Sequence, residues 1–314
     1  MYGKSICVFI HFHEGPFVLY YVHVYLNELA KHFDEVVFLS NNQKSGHGSN
    51  LRPNIKIIVQ ENKGYDFGRF YAYTKDLNLS NYNRIACVND SNILLNTLQP
   101  VLKWSEIEQY DLWGLIDSHE KPWFSTSPGS HHIQSHFMIL NRKAIDLLRE
   151  YYQLVNTQEI LNEKNSKTLR RKVIDKWEIG FSQFLISKGL TIGSLFESQQ
   201  FNQLYHLPPD SNCTHRLYHE LLEHGYPLIK KKVIGELNDN GISWENIVET
   251  YGNRHWKLLP LIEEINQIRK PKEKRSIFTF FKNIFQVGKR ITQNTSLFLV
   301  SFQTTLLLLL CNEM

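Results

Sequence analysis

Three apolar, β-favouring runs in the first 60 residues constrain this fold most, because a helical segment separates the first run from the second. The runs are SICVFIHF at 5–12, EVVFLSN at 35–41 and IKIIVQ at 55–60. Continuous apolar runs are typical of strands that are buried on both faces of a sheet. Since strand and helix patterns go on alternating, we predict an α/β fold with a doubly wound, mostly parallel sheet.

The composition is that of a globular protein without a nucleic-acid surface. A chain of 314 residues can hold one large or two ordinary domains, and 42% hydrophobic residues exclude a disordered chain. The net charge of +4 is too small for a nucleic-acid footprint. The cysteines are far apart and form no CxxC pair, which argues against a disulfide framework and a zinc site and fits a reducing cytosol. We recognise no signal peptide. The cysteines are Cys7, Cys87, Cys213 and Cys311.

Polar residues follow a buried strand in the stretch RIACVNDSNILL at 84–95. The strand stops at Asn89, Asp90 and Ser91, and the later run DLWGLID also ends in a carboxylate, Asp117. In open α/β sheets ligands bind at the carboxyl ends of the strands. Two such strand ends predict a shared acidic cleft, although Asn-Asp is also typical of a turn that merely closes a strand.

Two glycines bracket Tyr65-Asp66-Phe67 after the third strand. Gly64 and Gly68 lie where a helix is predicted to begin, near Asp66. Glycine allows a close backbone approach to a ligand, and a helix N terminus favours phosphate. The spacing matches neither G-x-G-x-x-G nor a P-loop, so a ligand loop and an ordinary tight turn both stay open.

The run HIQSHFMIL at 132–140 alternates between polar and apolar residues, as one strand would. Its polar side, His132, Gln134 and His136, is either a solvated edge or a polar wall beside the cleft. The loop before it, 118–132, is long enough for an active-site lid or plain surface.

A helix is predicted over VIDKWEIGFSQFLISKG at 173–189. Glu178 and Ser182, at i and i+4, then share one face beside the apolar face, and Gly189 is a natural C-cap.

The last part of the chain has a different character. A basic hinge at 269–275 precedes SIFTFFKNIFQVGKRITQ, which reads as a basic amphipathic helix rich in Phe, and 296–311 is apolar but short for a bilayer span. We predict a helical tail that attaches to a membrane surface. Packing against the chain's own domain or a partner is the alternative.

Five motifs in order resemble the rhamnan synthesis protein F family, bacterial glycosyltransferase-like proteins of polysaccharide assembly. They are NKGYDFGRF, VNDSN, DLWGLIDS, HIQSHFMIL and WEIGFSQFLISKG, and the resemblance runs from about residue 3 to 236. It implies a GT-A-like fold with a Rossmann-type sheet over 1–240. The donor half would be 1–118, the acceptor half 119–240 and the tail 241–314.

The resemblance also implies roles for the polar residues. GT-A enzymes hold a divalent metal with a D-x-D motif; here Asn89-Asp90-Ser91 offers one carboxylate, so metal dependence is open. Asp90 would hold the donor diphosphate through Mg²⁺ or Mn²⁺, or else Arg69 and helix-terminal N–H groups would stabilise its charge. Glu178 would be the catalytic base. Asp66 would be a base or a ribose contact. The expected donor-binding residues are His11, His13, Asn62, Gly64, Asp66, Gly68, Arg69, Asn89 and Ser91. The expected acceptor-binding residues are Trp113, Asp117, His132, Gln134, Ser135, His136 and Ser182.

Two functions therefore compete. The first is a glycosyltransferase, inverting by expectation, that uses a nucleotide-sugar donor and a saccharide or lipid-linked acceptor at the cytoplasmic face of the membrane. The second is a non-catalytic sugar- or nucleotide-binding subunit, suggested by the degenerate D-x-D. An NAD enzyme is disfavoured because no dinucleotide glycine fingerprint follows the first strand.

Overall fold

A computed structural model of the protein describes residues 3–15, 17–42, 50–236 and 243–268. The strands are β1 Lys4–His11, β2 Glu35–Ser40, β3 Ile55–Val59, β4 Tyr82–Asn89, β5 Asn92–Leu94, β6 Leu112–Ser118, β7 His132–Ile133, β8 Phe137–Asn141, β9 Ile192–Phe196 and β10 Leu228–Lys230. The first helices are α1 Tyr20–Leu29, α2 Tyr65–Thr74, α3 Gln99–Ile107, α4 Arg142–Leu154, α5 Thr157–Leu161, α6 Ser166–Val173 and α7 Gly180–Ser187. The later helices are α8 Ser198–Leu204, α9 Cys213–Arg216, α10 Tyr218–Glu223, α11 Lys231–Glu236, α12 Trp244–Tyr251 and α13 Leu258–Ile268.

The central sheet has the order β3-β2-β1-β4-β8-β6, with β7 and β9 both paired to β6. The pairs β1–β2, β1–β4, β2–β3 and β6–β9 are parallel, whereas β8 is antiparallel to both β4 and β6. The predicted α/β class with a mostly parallel sheet is confirmed. Because β8 runs backwards, its first residues lie beside the carboxyl end of β4.

Apolar side chains cover both faces of the sheet, as the continuous runs predict. In β1, Cys7 and Phe9 belong to one core, while Ile6, Val8 and Ile10 belong to the other. Helices α1, α3 and α10 pack on the first face, and α2, α4 and α7 pack on the second. Each fully buried Phe or Leu contributes roughly 1.5–3 kcal/mol, so these two layers hold the strand ends in place.

The prediction of one alternating strand over 132–140 is wrong. β7 pairs with β6, β8 pairs with β4 and β6, and 134–136 crosses between them outside the ladder. The physical reason is that this short run pairs with two other strands, β4 and β6, and the chain turns between the two pairings. His132, Gln134 and His136 are all buried, which also excludes a solvated edge.

The helix over 173–189 exists, but a π-helical turn interrupts it at Ile174–Ile179. Gly189, with a φ of 77°, ends it as predicted. Glu178 and Ser182 nevertheless face the same segment, because Glu178 Oε1 accepts from the N–H of Ser135 and Ser182 Oγ accepts from the N–H of Ile133. Ser182 is fully buried, whereas Glu178 is half-buried and faces a cleft.

Residues 1–265 form one compact unit. The sequence placed a division near residue 240, yet Trp244, Ile247 and Val248 of α12 are buried in the first core. In the part of the chain that the structure describes, no helix has the length and apolarity to cross a bilayer. The predicted basic helix and apolar tail, from residue 269 onward, lie outside the described residues.

Candidate functional site

A polar cleft opens at the carboxyl ends of β1 and β4. Its two lobes measure about 490 and 390 Å³. The larger, here the Asn89 lobe, is lined by residues that include Asn62, Asp66, Asn89 and Asp90. The smaller, here the His132 lobe, is lined by residues that include Ser118, Glu120, His132, Asn212 and His215. The lobes share Ser91, Gln134, Arg170, Ile174, Glu178 and Lys230.

Asn89 ends β4 and links three parts of the Asn89 lobe. Its side-chain amide donates to Asp66 Oδ2 at 3.1 Å, and its Oδ1 accepts from the N–H and the hydroxyl of Ser91 at 3.1 and 2.5 Å. The Asn89–Ser91 contact is the predicted turn. The same turn holds its polar side chains in the cleft, so the turn and the site are one feature.

Asp66 lies in the first turn of α2 and lines the Asn89 lobe. Burial, followed by the nearby Glu178 carboxylate, raises the pKa of Asp66 to about 6, against the lowering effect of the Phe67 N–H and Asn89. A carboxyl with such a pKa can exchange a proton near neutral pH.

Asp90 is buried and forms an ion pair rather than facing open solvent. Lys231 Nζ lies 2.9 Å from Asp90 Oδ2, and Tyr21 OH lies 3.4 Å from the same oxygen and 3.1 Å from Lys231 Nζ. His11 Nε2 is 3.9 Å from that oxygen and, among the described residues, has no hydrogen-bond partner. Burial lowers the pKa of His11 to about 4, so this ring is neutral at pH 7.

These ligands do not make an open magnesium or manganese site. A hard divalent ion takes several oxygen ligands, often more than one carboxylate. Asp90 offers one carboxylate, whose Oδ2 is already bonded to Lys231, while Asn89 Oδ1 accepts from Ser91. Asp90 as a metal ligand stays a prediction.

Arg69 is almost fully buried beneath the end of β1. Its Nη1 donates to the carbonyl of His11 at 2.6 Å, while its Nε has no partner within the described ranges. Burial lowers the pKa of Arg69 to about 10, which still leaves it charged at neutral pH. Arg69 therefore supplies positive charge under the Asn89 lobe and also ties α2 to β1.

Gly64 and Gly68 form a tight turn and do not line the cleft. Gly64 has a φ of 76°, and a side chain on either glycine would collide with Leu161. The tight-turn alternative therefore describes these two glycines, and donor contact through them stays a prediction. Neither His11 nor His13 lines either lobe, and the Nδ1 of His13 accepts from the N–H of Gly15 at 2.9 Å.

Glu178 projects from the π-helical turn to the junction of the two lobes. Its Oε1 accepts from the backbone N–H of Ser135 at 3.1 Å. Lys230, at the end of β10, lines the same junction. Burial lowers the pKa of Lys230 to about 8, although Glu178 and Glu120 act to raise it. π-turns are frequent at functional sites because they redirect a side chain out of the helical register.

Four of the predicted acceptor-side residues do meet in the cleft. His132 lines the His132 lobe, Ser135 and His136 line the Asn89 lobe, and Gln134 lines both. His136 Nε2 lies 2.7 Å from Tyr226 OH, and burial holds the pKa of His136 well below its usual value. The polar wall therefore exists, although a crossover segment rather than one strand face builds most of it.

Three other predicted acceptor residues lie elsewhere. Trp113 is packed in the core against Trp104 and Phe137, and Ser182 is fully buried behind β7. Asp117 lines neither lobe, because its carboxylate accepts from the N–H of Ser198 at 2.6 Å and contacts His131 at 3.0 Å. The predicted acidic cleft shared by Asp90 and Asp117 is therefore wrong.

Sequence reasoning found Arg69 but missed Lys230 and Lys231. Lys230 and Lys231 are part of a visible basic run, but β10 reaches the cleft only by pairing with β5, where Lys230 is opposite Asn92. Tyr21 arrives from α1. The run of lysines was the only local signal, and its partner could not be read from the sequence.

The strand order and this cleft define a doubly wound α/β protein with a candidate ligand site at the carboxyl edge of its sheet. The chain belongs to the rhamnan synthesis protein F family, whose model matches residues 36–299. This confirms the resemblance that the five motifs carry.

Individual relatives are distant. The chain is 25% identical over 207 residues to "Virulence protein VirA" of Vibrio anguillarum, covering 57% of this chain and 62% of that protein. A structure described as a glucose-1-phosphate thymidylyltransferase of Bacillus anthracis matches with a TM-score of 0.33 and 10% identity, over 61% of this chain and 87% of that one. A 4-diphosphocytidyl-2C-methyl-D-erythritol synthase of Anaerococcus prevotii matches with a TM-score of 0.37 and 9% identity, over 62% and 89%. The fold class rests on the strand order itself.

Proposed function

We propose that the protein is an inverting glycosyltransferase that moves a sugar from a nucleotide-sugar donor to a growing cell-surface polysaccharide. The observation that carries this proposal is the junction of the two lobes, where a carboxylate, Glu178, and two cations, Arg170 and Lys230, line one space. Transfer from a nucleoside diphosphate needs a base and positive charge on opposite sides of the reacting carbon.

In this scheme the donor occupies the Asn89 lobe and the acceptor occupies the His132 lobe. Asn62, Asp66 and Asn89 offer hydrogen bonds to the ribose or the sugar. On the other side, His132 and Gln134 offer donors and acceptors to the acceptor hydroxyls. A volume of about 490 Å³ suits a nucleotide sugar that keeps part of its surface exposed.

The reaction joins the acceptor oxygen to the anomeric carbon while the bond from that carbon to the diphosphate breaks. Glu178 takes the proton of the acceptor hydroxyl, and the bonding electron pair leaves with the diphosphate oxygen. Lys230, Lys231 and Arg170 stabilise the charge that develops there. Asp90 holds Lys231 in position, a role that needs only one carboxylate.

The substitution that tests this proposal is Glu178→Gln, which keeps the acceptor for the Ser135 N–H and removes the base. We expect it to lower sugar transfer about 10²–10⁴-fold with an unchanged circular dichroism spectrum. Lys188→Gln is the matched control, because Lys188 is an exposed residue that pairs with Glu150 outside the cleft. Full transfer by Glu178→Gln would refute the assignment of the base.

The second candidate is a non-catalytic nucleotide-sugar-binding subunit, and the Asp90–Lys231 pair favours it because that pair closes the usual metal position. Incubation with a panel of nucleotide sugars separates the two: an enzyme hydrolyses or transfers at least one donor, whereas a binding subunit only gains thermal stability from it. The same assay with EDTA tests whether a divalent cation is needed.

We further propose that the protein works on a lipid-linked acceptor at the inner face of the bacterial cytoplasmic membrane. The support is the basic, Phe-rich segment at 276–293 of the sequence. Sedimentation with anionic vesicles should fall when Lys282, Lys289 and Arg290 are changed to Gln. Unchanged sedimentation would contradict surface attachment.

A further inference from the structure

Two histidines and a carboxylate meet behind the His132 lobe, outside the site described above. Asp117 is near the end of β6, His119 follows it, and His131 immediately precedes β7. His131 Nε2 lies 3.0 Å and His119 Nε2 3.7 Å from Asp117 Oδ2, and one ligand atom from each residue lies within 4.8 Å of the others. The two rings are parallel, with centroids 4.5 Å apart.

We propose that Asp117, His119 and His131 form a binding site for one zinc-class divalent ion, which fastens the two ends of the loop between β6 and β7. Two imidazole nitrogens and one carboxylate oxygen suit Zn²⁺, Co²⁺ or Ni²⁺, whereas Mg²⁺ and Mn²⁺ prefer oxygen ligands. The cysteine spacing argued against a zinc site, but these ligands contain no sulfur.

The observed distances fit such an ion. Ligand atoms about 2.1 Å from a tetrahedral zinc ion lie about 3.4 Å from one another. The separations of 3.0 and 3.7 Å bracket this value, so small side-chain rotations would centre the three atoms on the ion. The three ligand atoms therefore lie within reach of one ion, and the parallel imidazole rings would tilt toward it on binding, since the nitrogen lone pairs lie in the ring planes.

Neighbouring groups hold these ligands in place. The N–H of Ser198 donates to Asp117 Oδ1 at 2.6 Å, which leaves Oδ2 for the ion. Gln183 donates to the carbonyl of His131 at 2.7 Å and fixes the backbone of that ligand. Such outer contacts orient ligands in metal sites.

The ion would fasten a loop that borders the His132 lobe. Ser118 and His132, the neighbours of Asp117 and His131, both line that lobe. The middle of the loop is already held, since Asp175 accepts from the N–H of Thr126 at 2.7 Å. The two ends of the loop are joined by the β6–β7 pairing and by the contact between Asp117 and His131, and the ion would strengthen this connection.

Metal content and melting temperature of the full-length protein, without a histidine tag, test the proposal. We expect about one zinc per chain by elemental analysis. After removal of the metal with EDTA, ZnCl₂ should raise the melting temperature, whereas MgCl₂ at the same concentration should not. Competition with a chromophoric chelator then measures the affinity.

Two variants and a control make the result specific. Changing His131→Ala removes a ligand, and His119→Phe keeps the stacked ring while removing its nitrogen. Loss of a hydrogen bond that orients a metal ligand typically lowers metal affinity by ~10–100-fold. Because each variant removes a ligand itself, each should lower zinc affinity by at least that factor. His255→Ala, at an exposed histidine, should bind zinc as the wild type does. Absence of a zinc effect in the wild type, or unchanged binding in both variants, would show a hydrogen-bonded Asp–His pair and overturn the proposal.

Discussion

Replacing Lys231 by Met should destabilise the protein, mainly through loss of the ion pair with Asp90. At 2.9 Å and an effective dielectric constant of about 20, the pair has roughly 6 kcal/mol of gross Coulomb attraction. Desolvation of both groups offsets most of it, and the lysine side chain keeps 27% of its exposure. We therefore expect a net loss of about 2 kcal/mol in the free energy of unfolding, the value typical of a hydrogen bond to a charged group.

Urea denaturation of a double-mutant cycle measures this coupling. Asp90→Asn in the Lys231→Met background should cost much less than Asp90→Asn in the wild type, because the buried carboxylate then has no cation to lose. Lys143→Met is the matched control: Lys143 Nζ is 3.5 Å from Asp111, but its side chain is 77% exposed, so its loss should stay within about 0.5 kcal/mol. Additive effects of the Asp90 and Lys231 substitutions would refute the reasoning.

Three further predictions concern other groups around the cleft. The pKa of Asp66 is raised from 3.8 to about 6, so the folded state binds this proton more tightly than the unfolded state does. The free energy of unfolding should therefore fall as pH rises from about 4 to about 6. Asp66→Asn should remove this fall, as measured by urea midpoints across that pH range. An equal pH slope in wild type and variant would contradict it. Lys230, with a pKa of about 8, stabilises the leaving group in its charged form, so the rate of sugar transfer should decline as pH rises through about 8. Lys230→Arg should move this decline to higher pH. A pH–rate profile of both proteins checks the two expectations. Finally, Gly180→Ala places a Cβ 2.7 Å from both the Asp175 carbonyl oxygen and the Tyr151 hydroxyl. Thermal unfolding should show a loss of about 1–3 kcal/mol in the free energy of unfolding. An unchanged stability would refute tight packing at the π-turn.

The stability and activity predictions are separable. Lys231→Met should lower the free energy of unfolding, because the ion pair with Asp90 is lost, and should also reduce sugar transfer. Glu178→Gln should reduce sugar transfer and leave the free energy of unfolding unchanged. Glu178 is half-buried and retains its contact with the Ser135 N–H as a glutamine. A glutamine variant that unfolds in less urea would indicate a structural role for Glu178 instead.

The sequence predicts the position of a candidate site residue correctly where that position follows from the strand on which the residue lies. Asn89 and Asp90 follow an apolar run that predicts a buried strand, and the carboxyl ends of parallel strands lie at one edge of the sheet. Asp66 follows the same logic at the start of α2. By contrast, Trp113 was chosen from a motif and Ser182 from its helical spacing to Glu178, and both side chains are buried.

The sequence by itself determined the α/β class, the strand–helix order and the family, because these depend on local periodicity and on motifs that lie close together in the chain. Only the tertiary structure decided which charges meet. Lys231 is 141 residues from Asp90, and β10 brings it to the cleft by pairing with β5. Likewise, residues 132–140 form two strands rather than the predicted one, because the run pairs with both β6 and β4. Long-range pairing selects such contacts through backbone hydrogen bonds between distant segments, and the pattern within one segment does not identify its partner.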